Sequence, residues 1–388
     1  MESGFLESWS ERGIIARLEE KNHLLRALTS GPQRIKFGID PTAPELHLGH
    51  AAIFRILKKL QDTGHIIVLI IGDFTAQIGD PSGRSETRKM LSEKEAGANE
   101  KRYLKQAGKF IDIKKAEIRH NSEWLKKGGA KLLLELMSLA SIQQMLERQD
   151  FKKRMDAGQE IALLEALYPV LQGYDSVAVN ADIEVGGSDQ EFNLLAGRRI
   201  QRKFGKKEQD IMTIKLLVGT DGVKKMSKSF GNFIGLEDAS DDVFGKIMSI
   251  SDAAMQDFYY PLLTDIPRGE YEAEILKNPR DAKLRLAFEV VAQCHGEAKA
   301  KKAKANFIKM FSKRDFENAP IKKISGFPQV IDVMMDLNFA LSRMEARRLI
   351  WGDAVEFDGE TIRDPNFSVR KSGILIVGKK KFAKLELE

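Results

Sequence analysis

Two histidines stand three residues apart in a segment at residues 38–50, which ends in His47-Leu48-Gly49-His50. The segment should join a strand to a helix at the edge of an α/β sheet, where ligands bind and free backbone N–H groups favour anions. Neutral imidazoles could there donate hydrogen bonds to a polyphosphate, and Gly49 would allow close approach. Taken alone, the spacing more often reflects local helix capping. Half of a zinc site is a weaker alternative, because no His or Cys partners stand at ligand spacing.

A second segment of chemical interest is the lysine- and serine-rich run Lys-Lys-Met-Ser-Lys-Ser at residues 224–229. Ammonium groups on a mobile loop can close over a triphosphate and compensate the charge that develops on a leaving pyrophosphate. On its own such a run is usually solvated surface. The chain contains neither Gly-x-x-x-x-Gly-Lys-Ser/Thr nor Gly-x-Gly-x-x-Gly, so the two commonest alternative phosphate and dinucleotide motifs are absent.

The strands that would position these segments follow from hydrophobic periodicity. Strands are predicted at 35–39 and 66–71, with an amphipathic helix at 48–61 between them. A third strand is predicted at 177–185, followed by a glycine-bearing turn and a helix at 190–202. Strands that alternate with helices in this way favour a parallel sheet built from βαβ units.

The remaining segments are read mainly as helical. The first 28 residues are predicted to form a helix, and residues 85–160 a helical insertion in which 130–155 is one long helix or two joined ones. Further helices are predicted at 330–337 and 342–351. The helices at 330–337 and 342–351 belong to a small α+β module.

Length and composition bound the class of protein. The 388 residues, 43% of them hydrophobic, predict a globular chain of two or three domains. We expect an α/β domain at 1–235, a helical domain at 236–320 and the α+β module at 321–388. No apolar run approaches the about 20 residues of a membrane span, no targeting signal is visible at the N-terminus, and the lone Cys294 cannot form an intrachain disulfide. These features predict a cytoplasmic protein without membrane contact.

The histidine segment and the lysine loop, taken in this order, resemble the paired signatures of class I aminoacyl-tRNA synthetases. Residues 72–84, 168–175 and 186–190 are similar to those of bacterial tyrosyl-tRNA synthetases, and the resemblance extends over essentially the whole chain. It implies an α/β fold with a Rossmann-like parallel-sheet catalytic domain and a helical insertion, then an α-helical anticodon-recognition domain and a small α+β RNA-binding domain. The implied activity is that of an ATP-dependent tyrosine–tRNA ligase.

The same resemblance implies roles for individual residues. Those expected to bind tyrosine are Asp40, Asp80, Tyr168, Gln172, Asp175 and Gln190. Those expected to act on the phosphates as catalytic groups are Thr42, His47, His50, Arg84, Lys225 and Lys228. Those expected elsewhere around ATP are Gly49, Gly187, Asp189, Met226 and Ser227. Those expected to contact tRNA are Lys301, Lys302, Arg343, Arg347 and Lys380.

Asp175 has a physical basis for its expected role that does not depend on the resemblance. A buried acceptor for the phenol hydroxyl is left unpaired when phenylalanine binds, so it discriminates better than an apolar slot. An acid that ends a helix and bonds local backbone is the alternative interpretation. Many members of the family place a second phenol ligand, a tyrosine, where this chain has Lys36. An ammonium cannot copy a phenol, so another donor is expected beside Asp175.

No side-chain nucleophile is expected, since the carboxylate of the amino acid itself would attack the α-phosphate. The expected substrates are L-tyrosine, ATP carrying Mg²⁺, and tRNA(Tyr), with no tightly bound cofactor and no metal site in the protein. The family favours a homodimer, and neither DNA nor a membrane is an expected partner. The basic stripe at residues 298–314 suits phosphate contacts, although a solvated helix face explains it equally well.

Three other functions fit parts of the pattern. The closely related tryptophan enzyme shares both signatures, and Asp175 with the Gly-Asp-Pro-Ser-Gly segment at residues 79–83 favours tyrosine. A non-catalytic RNA-binding paralogue could share the scaffold, but His47, His50, Lys225 and Lys228 are all retained. A simple nucleotidyltransferase could use the histidine segment but would not need the basic helical region or the C-terminal module.

Overall fold

The computed structural model describes residues 2–19, 21–82, 93–312, 319–378 and 381–387. The chain forms two compact units, residues 1–300 and 301–388. The domain boundaries predicted near residues 236 and 321 remain predictions. Within the described residues, no helix is both long enough and apolar enough to cross a membrane.

A six-stranded sheet forms the centre of the first unit. Its strands are β1 (Ile15–Leu18), β2 (Arg34–Ile39), β3 (Ile66–Ile71), β4 (Glu117–His120), β5 (Ile183–Gly187) and β6 (Asp210–Ile214). They lie in the order β1-β6-β5-β2-β3-β4. All neighbours pair in parallel except β1, which pairs antiparallel with β6 at one edge. The predicted α/β class with a parallel sheet is confirmed.

The central strands read as continuous apolar runs because helices cover both faces of a parallel sheet. Ile67 to Ile71 of β3 are all buried. Chain order reverses between β2 and β5, since β3 follows on one side of β2 and β5 and β6 lie on the other. The carboxyl ends of β2 and β5 therefore border the crevice in which open α/β sheets bind ligands.

The helices that come before the second sheet in the chain fall into two groups. Those that precede β6 are α1 (Glu2–Glu11), α2 (Lys21–Thr29), α3 (Leu48–Asp62), α4 (Glu93–Ala107), α5 (Ser122–Ser138), α6 (Ile142–Leu146), α7 (Gln149–Asp156), α8 (Leu163–Ala178) and α9 (Glu191–Lys203). Those that follow it are α10 (Ser240–Ser249), α11 (Asp252–Ala254), α12 (Tyr260–Leu263), α13 (Arg268–Lys277), α14 (Pro279–His295) and α15 (Glu297–Ser312). The predicted helices at 48–61 and 190–202 are confirmed as α3 and α9.

Two element predictions near the sheet are wrong. The N-terminal 28 residues are not one helix, because Gly13 adopts φ +68° after α1 and the next residues pair with β6, a long-range contact that periodicity does not show. The predicted strand at 177–185 begins only at Ile183. The preceding valines, Val177 and Val179, are buried at the end of α8 and in the turn after it, so their apolar character mimics a strand.

The helical insertion is also more divided than predicted. Residues 130–155 belong to three helices, α5 to α7, and α5 is kinked at Gly129, where φ is +55°. The hydroxyl of Ser141 accepts from the Gln144 N–H and starts α6 as a new helix. The insertion also contains β4, a short strand rich in charged residues that carries no apolar alternation.

The second unit contains a five-stranded sheet in the order β7-β11-β10-β8-β9. Its strands are β7 (Ile321–Ile324), β8 (Val355–Phe357), β9 (Glu360–Thr361), β10 (Gly373–Val377) and β11 (Lys381–Leu387). The two predicted helices are confirmed as α16 (Val330–Asp336) and α17 (Arg343–Trp351). Buried side chains from both helices and the sheet, among them Met334, Ile350 and Leu375, form one apolar core.

Candidate active site

A cavity of about 590 Å³ opens at the carboxyl ends of β2 and β5. It is bordered by the start of α3, the inner face of α8 and the lysine loop. It brings together the following predicted residues: Asp40, Thr42, His47, Gly49, His50, Asp80, Tyr168, Gln172, Asp175, Gly187, Asp189, Gln190, Lys225, Met226, Ser227 and Lys228. Arg84 lies outside the described residues. Segments that are far apart in sequence thus meet around one space large enough for a small substrate.

The two histidines are held by the first turn of α3. Nδ1 of His47 accepts from the Gly49 N–H at 3.2 Å, and Nδ1 of His50 accepts from the His47 N–H at 3.2 Å. A Cβ on Gly49 would lie 3.0 Å from the His47 ring, so glycine lets the ring close on the backbone. The structure therefore shows the local capping that the spacing suggests, and it uses only one nitrogen of each ring.

Desolvation in the cavity wall lowers the pKa of His47, helped by the charges of His50 and the loop lysines, and lowers that of His50 to about 4. Both rings are therefore neutral near pH 7. Since each Nδ1 accepts a hydrogen bond, each neutral ring carries its proton on Nε2. The pair supplies two uncharged N–H donors at a helix N-terminus, where anions are favoured.

The lysine loop faces the same end of the cavity. Lys225 Nζ lies 2.6 Å from Asp189 Oδ2, and Lys228 Nζ lies 3.4 Å from Glu45 Oε2. The hydroxyl of Ser227 accepts from the Ser229 N–H at 3.2 Å and starts a short 3₁₀ turn. Both ammonium groups are thus paired with carboxylates, and a polyphosphate would compete with those carboxylates for them.

A different kind of chemistry lines the opposite end. The Tyr168 hydroxyl donates to Asp40 Oδ2 at 2.9 Å, and the Thr75 hydroxyl donates to Asp40 Oδ1 at 2.8 Å. Burial raises the pKa of Asp40 to about 7, against these two hydrogen bonds. A Cβ on Gly72 would lie 2.0 Å from Asp40 Oδ1, so glycine makes room for this carboxylate. Carboxylates in this setting suit a bound ammonium group, which would restore their charge.

Three further polar residues, Asp80, Gln172 and Gln190, complete this end of the cavity. Gln190 Nε2 donates to Asp80 Oδ2 at 2.6 Å, and Asp80 Oδ1 accepts from the Ser82 N–H at 2.9 Å. Gln172 Nε2 donates to Glu184 Oε1 at 3.3 Å. Every one of these side chains is held by a second protein group, so the polar lining is arranged before a ligand binds.

Asp175 lies on α8 and is only 3% exposed. Its Oδ1 accepts from Trp124 Nε1 at 2.8 Å, and its Oδ2 lies 3.5 Å from Asn121 Nδ2. Burial raises its pKa to about 7, opposed first by the charge of Lys36 and then by these two donors. Its side chain therefore bonds groups around α5 rather than local backbone, and it lines the cavity as an acceptor.

Similar proteins are known over nearly the whole length of the chain. Residues 29–312 match the family model of the class I tRNA synthetases for tryptophan and tyrosine. A tyrosine–tRNA ligase of Thermotoga maritima is 45% identical over 97% of this chain and 96% of its own length, and one of Aquifex aeolicus is 45% identical over 96% of each. The chain belongs to this family.

Solved structures in the family share the fold. A C-terminally truncated mitochondrial tyrosyl-tRNA synthetase of Coccidioides posadasii superimposes with a TM-score of 0.65 at 25% identity, covering 78% of this chain and 91% of its own. The tyrosyl-tRNA synthetase of Archaeoglobus fulgidus, complexed with L-tyrosine, superimposes with a TM-score of 0.59 at 20% identity, covering 77% and 99%. The second likeness bears on the fold alone.

The described residues of this synthetase that were expected at tRNA belong to the second unit. Lys301 and Lys302 are exposed on α15, and Arg343 and Arg347 are exposed on α17; Arg343 pairs with Asp332. Lys380 lies outside the described residues. Nothing in their local geometry requires a ligand, so their role stays a prediction.

Sequence reasoning missed several residues of the synthetase site. Trp124 and Asn121 contact Asp175 from an insertion that was predicted to be plain helix, and the strand β4 that places them carries no apolar alternation. Thr75 stands within the quoted segment 72–84 but carried no expectation. Within the described residues, no group of three or more His, Cys, Asp or Glu side chains is placed to hold a metal ion.

Proposed function

We propose that this chain is a tyrosine–tRNA ligase that forms tyrosyl-adenylate from L-tyrosine and ATP and then transfers tyrosine to the 3′ end of tRNA(Tyr). The observation that carries the proposal is the division of one cavity into two ends. One end presents neutral histidine N–H groups and two lysines, and the other presents buried carboxylates and amides. Such a space fits a nucleoside triphosphate against a small zwitterion that bears a hydroxyl.

The first step needs positioning rather than a protein nucleophile. A carboxylate oxygen of tyrosine attacks the α-phosphorus, the bond to the bridging oxygen breaks, and pyrophosphate leaves with the electron pair. In this proposal the Nε2–H groups of His47 and His50 and the ammonium groups of Lys225 and Lys228 stabilise the developing negative charge. ATP brings Mg²⁺ with its phosphates.

At the other end, Asp80, Tyr168 and Gln172 hold the ammonium of tyrosine, and Gln190 lies near its carboxylate. Asp175 accepts the hydrogen bond of the phenol hydroxyl. Phenylalanine would leave the remaining acceptor position of this desolvated carboxylate without the phenol donor, which costs free energy that apolar contact does not return. Tryptophan, the substrate of the other branch of the family, has no hydroxyl and could offer Asp175 only the indole N–H of a larger ring system.

Exchange of labelled pyrophosphate into ATP, without tRNA, tests this function. Tyrosine, phenylalanine and tryptophan are offered separately, and exchange should occur with tyrosine at least about a hundredfold more efficiently than with either of the others. Exchange with tryptophan would assign the chain to the other branch of its family. Folded protein that exchanges with none of the three would contradict the proposal and favour a non-catalytic RNA-binding role.

Transfer to tRNA is proposed to use the second unit and α15. The support is the exposure of Lys301, Lys302, Arg343 and Arg347, since basic side chains that face solvent can contact phosphates. Arg343→Ala combined with Arg347→Ala should raise the KM for tRNA without changing pyrophosphate exchange. Arg363→Ala, an exposed arginine beyond β9, is the matched control.

We also propose that the protein is a homodimer in the cytoplasm. Large exposed apolar side chains are concentrated from α5 to the start of α8, namely Leu133, Leu134, Met137, Ile142, Met155, Leu163 and Leu164. Such a concentration marks an interaction surface. Leu134→Glu should yield monomers in light scattering, whereas Leu276→Glu, at a residue 88% exposed on α13, should not. A single cysteine, Cys294, suits a reducing compartment.

A further inference from the structure

Lys36 occupies the position at which many members of the family carry a phenol-binding tyrosine. It is not among the residues that line the cavity. Its side chain is 0% exposed. Nζ donates to the Gln172 carbonyl at 2.9 Å and to the Ser176 hydroxyl at 2.8 Å, and it pairs with Glu184 Oε1 at 2.9 Å. All three ammonium protons therefore have acceptors inside the protein.

Glu184 is equally buried, with its side chain 1% exposed. It lies beside Lys36 in the parallel register of β2 and β5. Besides Lys36, its carboxylate accepts from Gln172 Nε2 at 3.3 Å, from the Ser176 hydroxyl at 3.2 Å and from Gln209 Nε2. The pair is a closed network behind the stretch of α8 that carries the tyrosine-binding residues.

Stability alone does not explain such a pair. Removing two charges from water costs several kcal/mol per ion, and well-packed apolar residues of similar volume are often as stable or more so. An apolar side chain in place of Lys36 would suit the surrounding sheet, because the register partner of Lys36 in β3 is Val68. Glu184 itself lines the cavity, and the pair contacts Gln172, which lines it as well.

Asp175 lies one turn of α8 beyond Gln172 and interacts electrostatically with Lys36 and Glu184. The charged and titratable groups that face it are Lys36 on β2, Glu184 on β5, Asp40 at the end of β2 and Tyr168 on α8. Among them only Lys36 is positive. Burial raises the pKa of Asp175, the Lys36 charge is the largest opposing influence, and Glu184 acts weakly in the other direction.

We propose that Lys36, paired with Glu184 behind α8, is a positioning residue for tyrosine selection: it fixes Gln172 and supplies the positive charge that keeps Asp175 an anionic acceptor for the phenol. The ammonium takes over part of the work of a second phenol ligand without touching the substrate. This inference rests on the proposed function, because it assigns the hydroxyl of tyrosine to Asp175.

The test compares three variants in pyrophosphate exchange over pH 5.5 to 9, with tyrosine and with phenylalanine. Lys36→Met removes the positive charge and leaves Glu184 unpaired. Lys36→Met combined with Glu184→Gln removes both charges. Lys277→Met, at an exposed lysine on α13, is the control. Thermal unfolding of each variant establishes that it is folded.

We expect Lys36→Met to move the acid limb of kcat/KM for tyrosine to higher pH by about one unit, which is about a tenfold loss below that limb. Activity with phenylalanine should fall less, so the preference for tyrosine should shrink. The double variant should return the limb towards that of the wild type, because the two charges act on Asp175 in opposite directions. Lys277→Met should change nothing.

A purely structural role would lower the rate with both amino acids at every pH and leave the limb in place. That result in folded Lys36→Met would overturn the inference. If Lys36→Met fails to fold, the double variant decides. A limb displaced to higher pH by less than one unit, together with weaker selection of tyrosine, supports the inference, and a limb and selectivity equal to those of the wild type overturn it. A wild-type protein that does not exchange with tyrosine would instead contradict the proposed function.

Discussion

The two ends of the cavity are lined by groups that differ in charge and in how firmly they are held. The phosphate end uses groups that are neutral or can change partners: the histidines are uncharged, and the loop lysines pair with Asp189 and Glu45 at the cavity surface. The tyrosine end uses carboxylates that are desolvated in advance and held by fixed donors.

This difference follows from the ligands proposed for each end. A triphosphate brings several charges and leaves as pyrophosphate, so its binding groups must exchange partners during a turnover. Tyrosine brings one ammonium, one carboxylate and one hydroxyl. Selection of the hydroxyl depends on a desolvated acceptor that only the correct ligand fully satisfies. Desolvation therefore lowers the pKa of His50 to about 4 at one end and raises that of Asp175 to about 7 at the other.

The largest effect is expected from the lysine loop. Lys225→Met combined with Lys228→Met should lower the rate of adenylate formation by at least about a hundredfold, because donors aimed at developing charge act mainly in the transition state. Tyrosine affinity, measured by equilibrium dialysis, should not change. Loss of tyrosine affinity by the same factor would show that the two ends are not separate.

A smaller loss is expected from His47→Asn. An uncharged donor to a phosphate oxygen contributes about 1.5 to 3 kcal/mol, which corresponds to roughly tenfold to a hundredfold in rate. Single-turnover adenylate formation measures the loss, and tyrosine affinity is again the control. An equal loss of both would remove His47 from the phosphate role.

At the tyrosine end, Asp175→Asn should lower the preference for tyrosine over phenylalanine by about tenfold or more, since the anionic acceptor is lost. Competition between the two amino acids in pyrophosphate exchange measures the ratio. A preference equal to that of the wild type would mean that the phenol is recognised elsewhere.

The smallest effect concerns stability. The folded pKa of Asp175, about 7, lies above its ordinary value of 3.8, so the folded state binds its proton more tightly than the unfolded state. Its contribution to stability is complete below about pH 4 and is lost as the pH rises through about 7. In the ligand-free protein, the change in Tm caused by Asp175→Asn should therefore be more favourable at pH 8 than at pH 5. The two changes should differ by about 2 °C or more. Thermal unfolding of both proteins at both pH values measures these changes. Equal changes in Tm at pH 5 and pH 8 would contradict the burial of the Asp175 charge.

The sequence predicted the parts of this site whose local signals are strong. Aliphatic β2 and β3, amphipathic α3 and the glycine-bearing turn after β5 were all found from periodicity, and they carry His47, His50 and Asp189. The lysine loop was singled out from its residue types, and the family resemblance then added the residues of α8.

Contacts between distant segments were the part that sequence could not supply. Strand β1 forms only because β6 offers an edge, and Trp124 reaches Asp175 only because β4 docks beside β3. The partner of Lys36 was unknown because Glu184 stands 148 residues later and is adjacent only through strand register. Fold class was thus predictable from local patterns, whereas the network that sets the charge of Asp175 required the tertiary structure.

The separation of the two ends is tested most directly by single-turnover formation of tyrosyl-adenylate over a range of tyrosine concentrations, in the wild type, Lys228→Met and Asp175→Asn. We predict that Lys228→Met lowers the maximal rate at an unchanged half-saturating tyrosine concentration, and that Asp175→Asn raises the half-saturating concentration by a larger factor than it lowers the maximal rate. If both variants change both parameters by similar factors, the division of the cavity into a phosphate end and a tyrosine end is wrong.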